Sequence, residues 1–148
     1  MKKKDTKKRD RKSKTDMLKS NFAETKYPRF CELIGNTPLI DITAMAEPNI
    51  HGVNVKVLGK AEFMNPGLSH KDRVISHIIS KAEKAGKITP NSGNTLLAGS
   101  SGNTGASLAM IGAMRGYNVV IITNAKCSTE KMDTIKMYGA KLILAEEG

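Results

Sequence analysis

Over residues 71–85 apolar side chains return at three- and four-residue spacing. Val74, Ile75, Ile78, Ile79, Ala82 and Ala85 share one face, and Gly86 follows. That period predicts an amphipathic helix closed by its glycine. Downstream, short apolar runs alternate with longer mixed stretches. Residues 94–99 (NTLLAG) predict a buried strand, 103–116 (NTGASLAMIGAMRG) a helix of small residues, and 117–123 (YNVVIIT) a nearly continuous apolar strand. Residues 128–139 (STEKMDTIKMYG) predict another helix and 140–145 (AKLILA) a last strand. Upstream, Val53, Val55 and Val57 alternate with polar neighbours and predict a strand within 52–63. Before it, a polar stretch from residue 21 turns at Ile34-Gly35-Asn36-Thr37-Pro38 into a short apolar run.

Short strands alternating with longer helices imply right-handed crossovers and a parallel sheet. The expected fold class is therefore α/β, a three-layer αβα arrangement with the sheet covered on both faces. Met110 and Met114 on one helix, and Met132 and Met137 on the next, have core spacing and are expected to fill gaps.

Composition changes this picture at one end only. The 148 residues are 39% hydrophobic and 26% charged, as in a globular protein, and no apolar run reaches the length of a membrane span. The net charge of +10 is concentrated in residues 1–20, which hold ten Lys or Arg against three Asp. That segment has no apolar period and is expected to be a disordered basic tail, with residues 21–148 forming the folded part. A solubilising arm is its plainest role. Nuclear targeting and attraction to polyanions are the alternatives, and nucleic acid is not the expected partner. Cys31 and Cys127 lie far apart in the chain, without paired spacing, and are expected to be reduced thiols in the cytoplasm. His70 and His77 find no third ligand nearby in the sequence, so no metal site is expected and both are read as structural.

Two loops carry candidate chemistry, both where chains leave strands in parallel sheets, the usual place for ligands. In the first, Asn65-Pro66-Gly67 makes a turn, and Ser69 followed by Asp72 is a capping-box pattern that starts a helix near residue 70. Lys71 then lies in the first helical turn, at the positive end of the peptide dipoles. A cation is disfavoured there, and a lysine that sheds its proton near neutrality acts as nucleophile and base. The alternative is a solvated Lys71 whose charge Asp72 offsets. The second loop, 98–107 (AGSSGNTGAS), sets Ser100, Ser101, Asn103 and Thr104 among three glycines before a helix, an arrangement suited to an anion. Its spacing is neither a dinucleotide fingerprint nor a Walker loop, and a flexible turn is the alternative.

IGNTPLI, KAEFMNPGLSHKDR, SSGNTGASLA and STEKMDTIKMYGAKLIL, in this order, resemble the cysteine synthase and cystathionine beta-synthase family, pyridoxal-phosphate enzymes of fold type II. The likeness runs from about Ile34 to Leu144. It implies pyridoxal 5'-phosphate as cofactor, Lys71 as the catalytic lysine joined to it, and Asn103 as the partner of its ring hydroxyl. It implies that Ser100, Ser101, Gly102, Asn103 and Thr104 close on the substrate carboxylate. The implied reaction is beta-replacement, in which serine or O-acetylserine loses its beta substituent and sulfide or homocysteine takes its place. Asn65-Pro66 and Thr104 favour that reaction over the dehydratases and racemases of the same superfamily. Leu68 and His70 stand where the family more usually has glycine and an aliphatic residue, and Ser100 where threonine is common. These departures bear on substrate choice more than on the cofactor.

Family members are much longer, and their glycine- and threonine-rich phosphate cradle lies in the later half. The sequence is therefore expected to be the N-terminal part of such an enzyme, weakly active or inactive alone. Two other readings stand beside it: a truncated, non-catalytic chain that forms oligomers or pairs with a full-length relative, and a polyanion-binding module acting through the tail.

Overall fold

The computed structural model describes residues 29–46 and 54–145. The basic segment 1–20 and Val53 lie outside them.

A 3-10 turn at Phe30–Leu33 leads to β1 (Leu39–Asp41), the helical turn α1 (Thr43–Ala46) and β2 (Leu58–Lys60). β1 and β2 pair antiparallel, with Leu39 opposite Lys60. After a 3-10 turn at Glu62–Met64 come α2 (Lys71–Lys84), β3 (Thr95–Gly99), α3 (Asn103–Met114), β4 (Asn118–Thr123), α4 (Thr129–Met137) and β5 (Lys141–Leu144). β3, β4 and β5 form a parallel sheet in chain order, with Leu97 opposite Val120 and Ile122 opposite Ile143.

The α/β class and the parallel sheet are as the sequence implies, and the elements after residue 70 fall within two residues of their expected bounds. Two successive crossovers in one direction put α3 and α4 on the same side of the sheet. Val119, Ile121 and Thr123 of β4 face that side and are buried. The core joins them to Ile75 and Ile79 of α2, Leu108, Met110 and Ile111 of α3, and Ile135 of α4. α3 lies so close to β4 that a methyl group on Gly112 would overlap Val119, which explains its small residues. The other side of the sheet is less covered by the described residues: Leu97 is 65% exposed there.

Three local expectations are corrected. Of the strand expected within 52–63, the described residues from 54 onward form only Leu58–Lys60. The Val57 N–H goes to the Thr43 hydroxyl at 2.9 Å instead of to a neighbouring strand. Along α2 only Ile75 and Ile79 of the apolar stripe are buried, while Val74 and Ile78 stay largely exposed, because α3 covers one edge of the stripe. Among the methionines, Met110 is fully buried but Met137 is 72% exposed, on the solvent side of α4. Met114 is also exposed, with its sulfur 3.7 Å from Cys31 Sγ. Cys31 and Cys127 are unpaired thiols.

Candidate active site

The carboxyl ends of β3, β4 and β5 open onto a hollow of about 250 Å3 lined by Gly99, Ser100, Ser101, Ile122, Thr123, Asn124 and Ala145. The loop after β3 forms one wall. Its first residue stays on the sheet, with the Ser100 N–H donating to the Ile122 carbonyl at 2.9 Å. The Ser100 hydroxyl oxygen turns back and accepts from the N–H groups of Gly102 at 3.3 Å and Gly105 at 3.0 Å. It thereby helps to cap the start of α3, where the Gly105 N–H also reaches the Gly102 carbonyl at 3.1 Å. Among the described residues, the side chains of Ser101, Asn103 and Thr104 make no such bond. Asn103, the first residue of α3, and Thr104 are half-buried, and Ser101 is exposed.

The lysine turn is held by a cluster of polar side chains. Asn65 is 1% exposed and fully engaged. Its Oδ1 accepts from the Gly35 N–H at 2.9 Å, and its Nδ2 donates to the carbonyl and a carboxylate oxygen of Glu62, each at 2.8 Å. Glu62 in turn pairs with Arg73 at 2.9 Å and accepts from the Thr37 hydroxyl at 2.9 Å. The Arg73 guanidinium holds the Glu62 carboxyl down to about 2, with help from Thr37 and Asn65 and against the cost of burial. Lys60 Nζ donates to the Thr37 carbonyl. The Ile34–Pro38 turn, the Asn65 turn and α2 are thus one unit.

Lys71 is the first residue of α2 and is half-buried. Its N–H donates to Ser69 Oγ at 3.3 Å, and its Nζ has no hydrogen-bond or ion-pair partner among the described residues. The expected capping box does not form. The Asp72 carboxylate instead accepts from the Gly67 N–H and from the Ser107 hydroxyl, both at 2.5 Å. A tertiary donor on α3 outcompetes the local one.

That contact also sets where the two loops lie. At the far ends of the same helices, Arg115 donates to Ser80 at 3.1 Å and to Glu83 at 2.5 Å. Asp72 and Ser107 are separated by the same 35 positions as Ser80 and Arg115, so α2 and α3 run parallel with their starts together. Lys71 and Asn103 therefore belong to adjoining helix starts at the strand-end side of the sheet. His70 and His77 are both exposed, away from the core.

Sequence reasoning gave Asp72 a different role and missed Ser107, Thr123 and Asn124 as residues of this site. Asp72 and Ser107 join the loops, and Thr123 and Asn124 line the hollow. Thr123 Oγ1 is buried and without a hydrogen-bond partner among the described residues. The strand-end position of Thr123 and Asn124 was the available signal.

Residues 31–148 match the family model described as pyridoxal-phosphate dependent enzyme. Cystathionine beta-synthase of Saccharomyces cerevisiae is 39% identical over 86% of this chain and 24% of its own length. Cysteine synthase of Dictyostelium discoideum is 44% identical over 74% of this chain and 28% of its own. The chain thus spans about a quarter of the length of these relatives. A hydrogen sulfide-producing enzyme of Fusobacterium nucleatum superposes with a TM-score of 0.70 and 36% identity, over 81% of this chain and 38% of that one. A crystal structure of O-ureido-L-serine synthase gives 0.68 and 32%, over 82% and 36%.

Proposed function

The chain belongs to the pyridoxal-phosphate dependent enzyme family, and on that premise we propose that it is the N-terminal part of a beta-replacement enzyme. Its substrate would be serine or O-acetylserine, and its nucleophile sulfide or homocysteine, in the cytoplasm. The observation that carries this reading is the pairing of two helix starts. One bears Lys71, whose amine has no partner among the described residues, and the other bears the Ser100–Thr104 loop.

These residues suit the cofactor chemically. Lys71 offers a primary amine that can condense with an aldehyde, and Asn103 an amide, unpaired among the described residues, to meet a ring hydroxyl. Once bound, the pyridine ring supplies the electron sink that makes an alpha proton removable. Lys71 Nζ takes and returns that proton. Ser101, Asn103 and Thr104 hold the substrate carboxylate, with the positive end of the α3 peptide dipoles adding to the pull. Ser100 serves the loop's shape, since its oxygen is already accepting two N–H groups.

Adding pyridoxal phosphate to the purified chain tests this. An absorbance band above about 400 nm is expected, shifting on addition of serine or O-acetylserine and absent in Lys71→Ala. A band of equal strength in Lys71→Ala overturns the assignment. One observation favours a second reading, a chain that associates with a full-length relative. Phe63, Met64 and Leu68, around the lysine turn, are 63%, 58% and 75% exposed.

A further inference from the structure

We propose that Asp72 is the positioning residue of this site, a buried link that holds the lysine turn and the Ser100–Thr104 loop in one relative placement. The proposal rests on reading Lys71 as the reactive amine.

Asp72 is 0% exposed. No described cation pairs with it, so its buried charge depends on hydrogen bonds alone. There are two, and both come from outside its own helix. Gly67 N–H arrives from five residues earlier in the chain, and Ser107 O–H from 35 residues later. The Ser107 bond, at 2.5 Å, has the length of an O–H donated to a carboxylate. A Cβ on Gly67 would come within 2.8 Å of Asp72 Oδ2, so the turn is seated directly on the carboxylate.

Each partner leads to a different part of the site. Gly67 belongs to the turn that delivers the chain to Lys71, and Lys71 is the residue next to Asp72. Ser107 lies one helical turn beyond Asn103 on α3. Ser107 is itself fully buried and its hydroxyl is committed to Asp72. Removing either bond leaves a buried charge short of a donor, so the cost falls on the joint between the loops.

The test uses Asp72→Asn, Asp72→Ala and the milder Ser107→Ala in the full chain. Asparagine can still accept from Gly67 through its oxygen and donate to Ser107 through its amide, which keeps the geometry without the charge. One readout is the rate at which Lys71 captures pyridoxal phosphate, the amine adding to the aldehyde carbon and water leaving. Asp72→Ala and Ser107→Ala should slow it about tenfold or more, and Asp72→Asn should recover most of that loss. The second readout needs no cofactor. Hydrogen exchange in peptides covering 65–70 and 100–105 should rise together in Asp72→Ala and Ser107→Ala, and stay protected in Asp72→Asn.

Exchange that rises in only one of the two segments overturns the link. An unchanged capture rate in Ser107→Ala, or an Asp72→Asn variant as slow as Asp72→Ala, overturns the positioning role. If the unaltered chain captures no pyridoxal phosphate, the assignment of Lys71 fails and with it the positioning role, while the exchange measurement still decides the link.

Discussion

Gly67 and Asp72 leave no room between them: a methyl group on Gly67 would lie within 2.8 Å of Asp72 Oδ2. Gly67 is not at a positive φ, so the demand for glycine comes from the carboxylate and not from the backbone. Gly67→Ala is expected to lower stability by about 1–3 kcal/mol through overpacking, read as a fall in the urea midpoint. In an Asp72→Ala background the added cost should largely vanish, a non-additivity that a double-mutant cycle measures.

Acid should loosen the turn that carries Lys71. The Glu62 carboxyl is lowered from an ordinary value of 4.5 to about 2, first by its hydrogen bonds to Arg73. A group depressed on folding stabilises the protein above its unfolded value and stops doing so as pH falls through its folded one. The stability difference between the natural chain and Glu62→Gln should therefore be constant above pH 4.5 and shrink between 4.5 and about 2. Thermal melts across that range check it, and a constant difference down to pH 2 would contradict the assignment of the pair.

The backbone at Leu68 suits glycine better than leucine. It sits at φ 60, in the left-handed region, and its side chain is 75% exposed. Left-handed backbone costs a non-glycine residue about 1–2 kcal/mol, more than glycine loses in the unfolded chain. Leu68→Gly should raise stability by about 0.5–1 kcal/mol. A loss measured by denaturant titration would show that the exposed leucine has a partner.

Thr123 offers a gain of the same kind. Its hydroxyl is buried with no partner among the described residues. An unsatisfied buried hydroxyl costs about 1–3 kcal/mol, and an isosteric apolar replacement removes that cost. Thr123→Val should raise the melting temperature. If it lowers the melting temperature, the hydroxyl is satisfied in solution.

The helices and strands after residue 70 were legible because their apolar periods are set by local geometry and a single sheet. The strand at 52–63 was not, because the Thr43 side chain takes the Val57 N–H, a bond that alternating valines do not reveal. Lys71 and the Ser100–Thr104 loop could be marked from composition and position. Their connection could not, since Ser107 stands 35 positions from Asp72 and looks like one more small residue of a buried helix. The Ser69 and Asp72 pattern misled for the same reason: a local motif had a distant competitor. Leu68 was visible as a departure from its family, but its cost needed the backbone.

The central claim is that one amine, among the many lysines of this chain, captures the cofactor. Reducing the mixture of protein and pyridoxal phosphate with borohydride and mapping the peptides by mass spectrometry tests it most directly. The account predicts a single dominant pyridoxyl label, on Lys71. A label spread over the lysines of residues 1–20, with Lys71 unmodified, would contradict it.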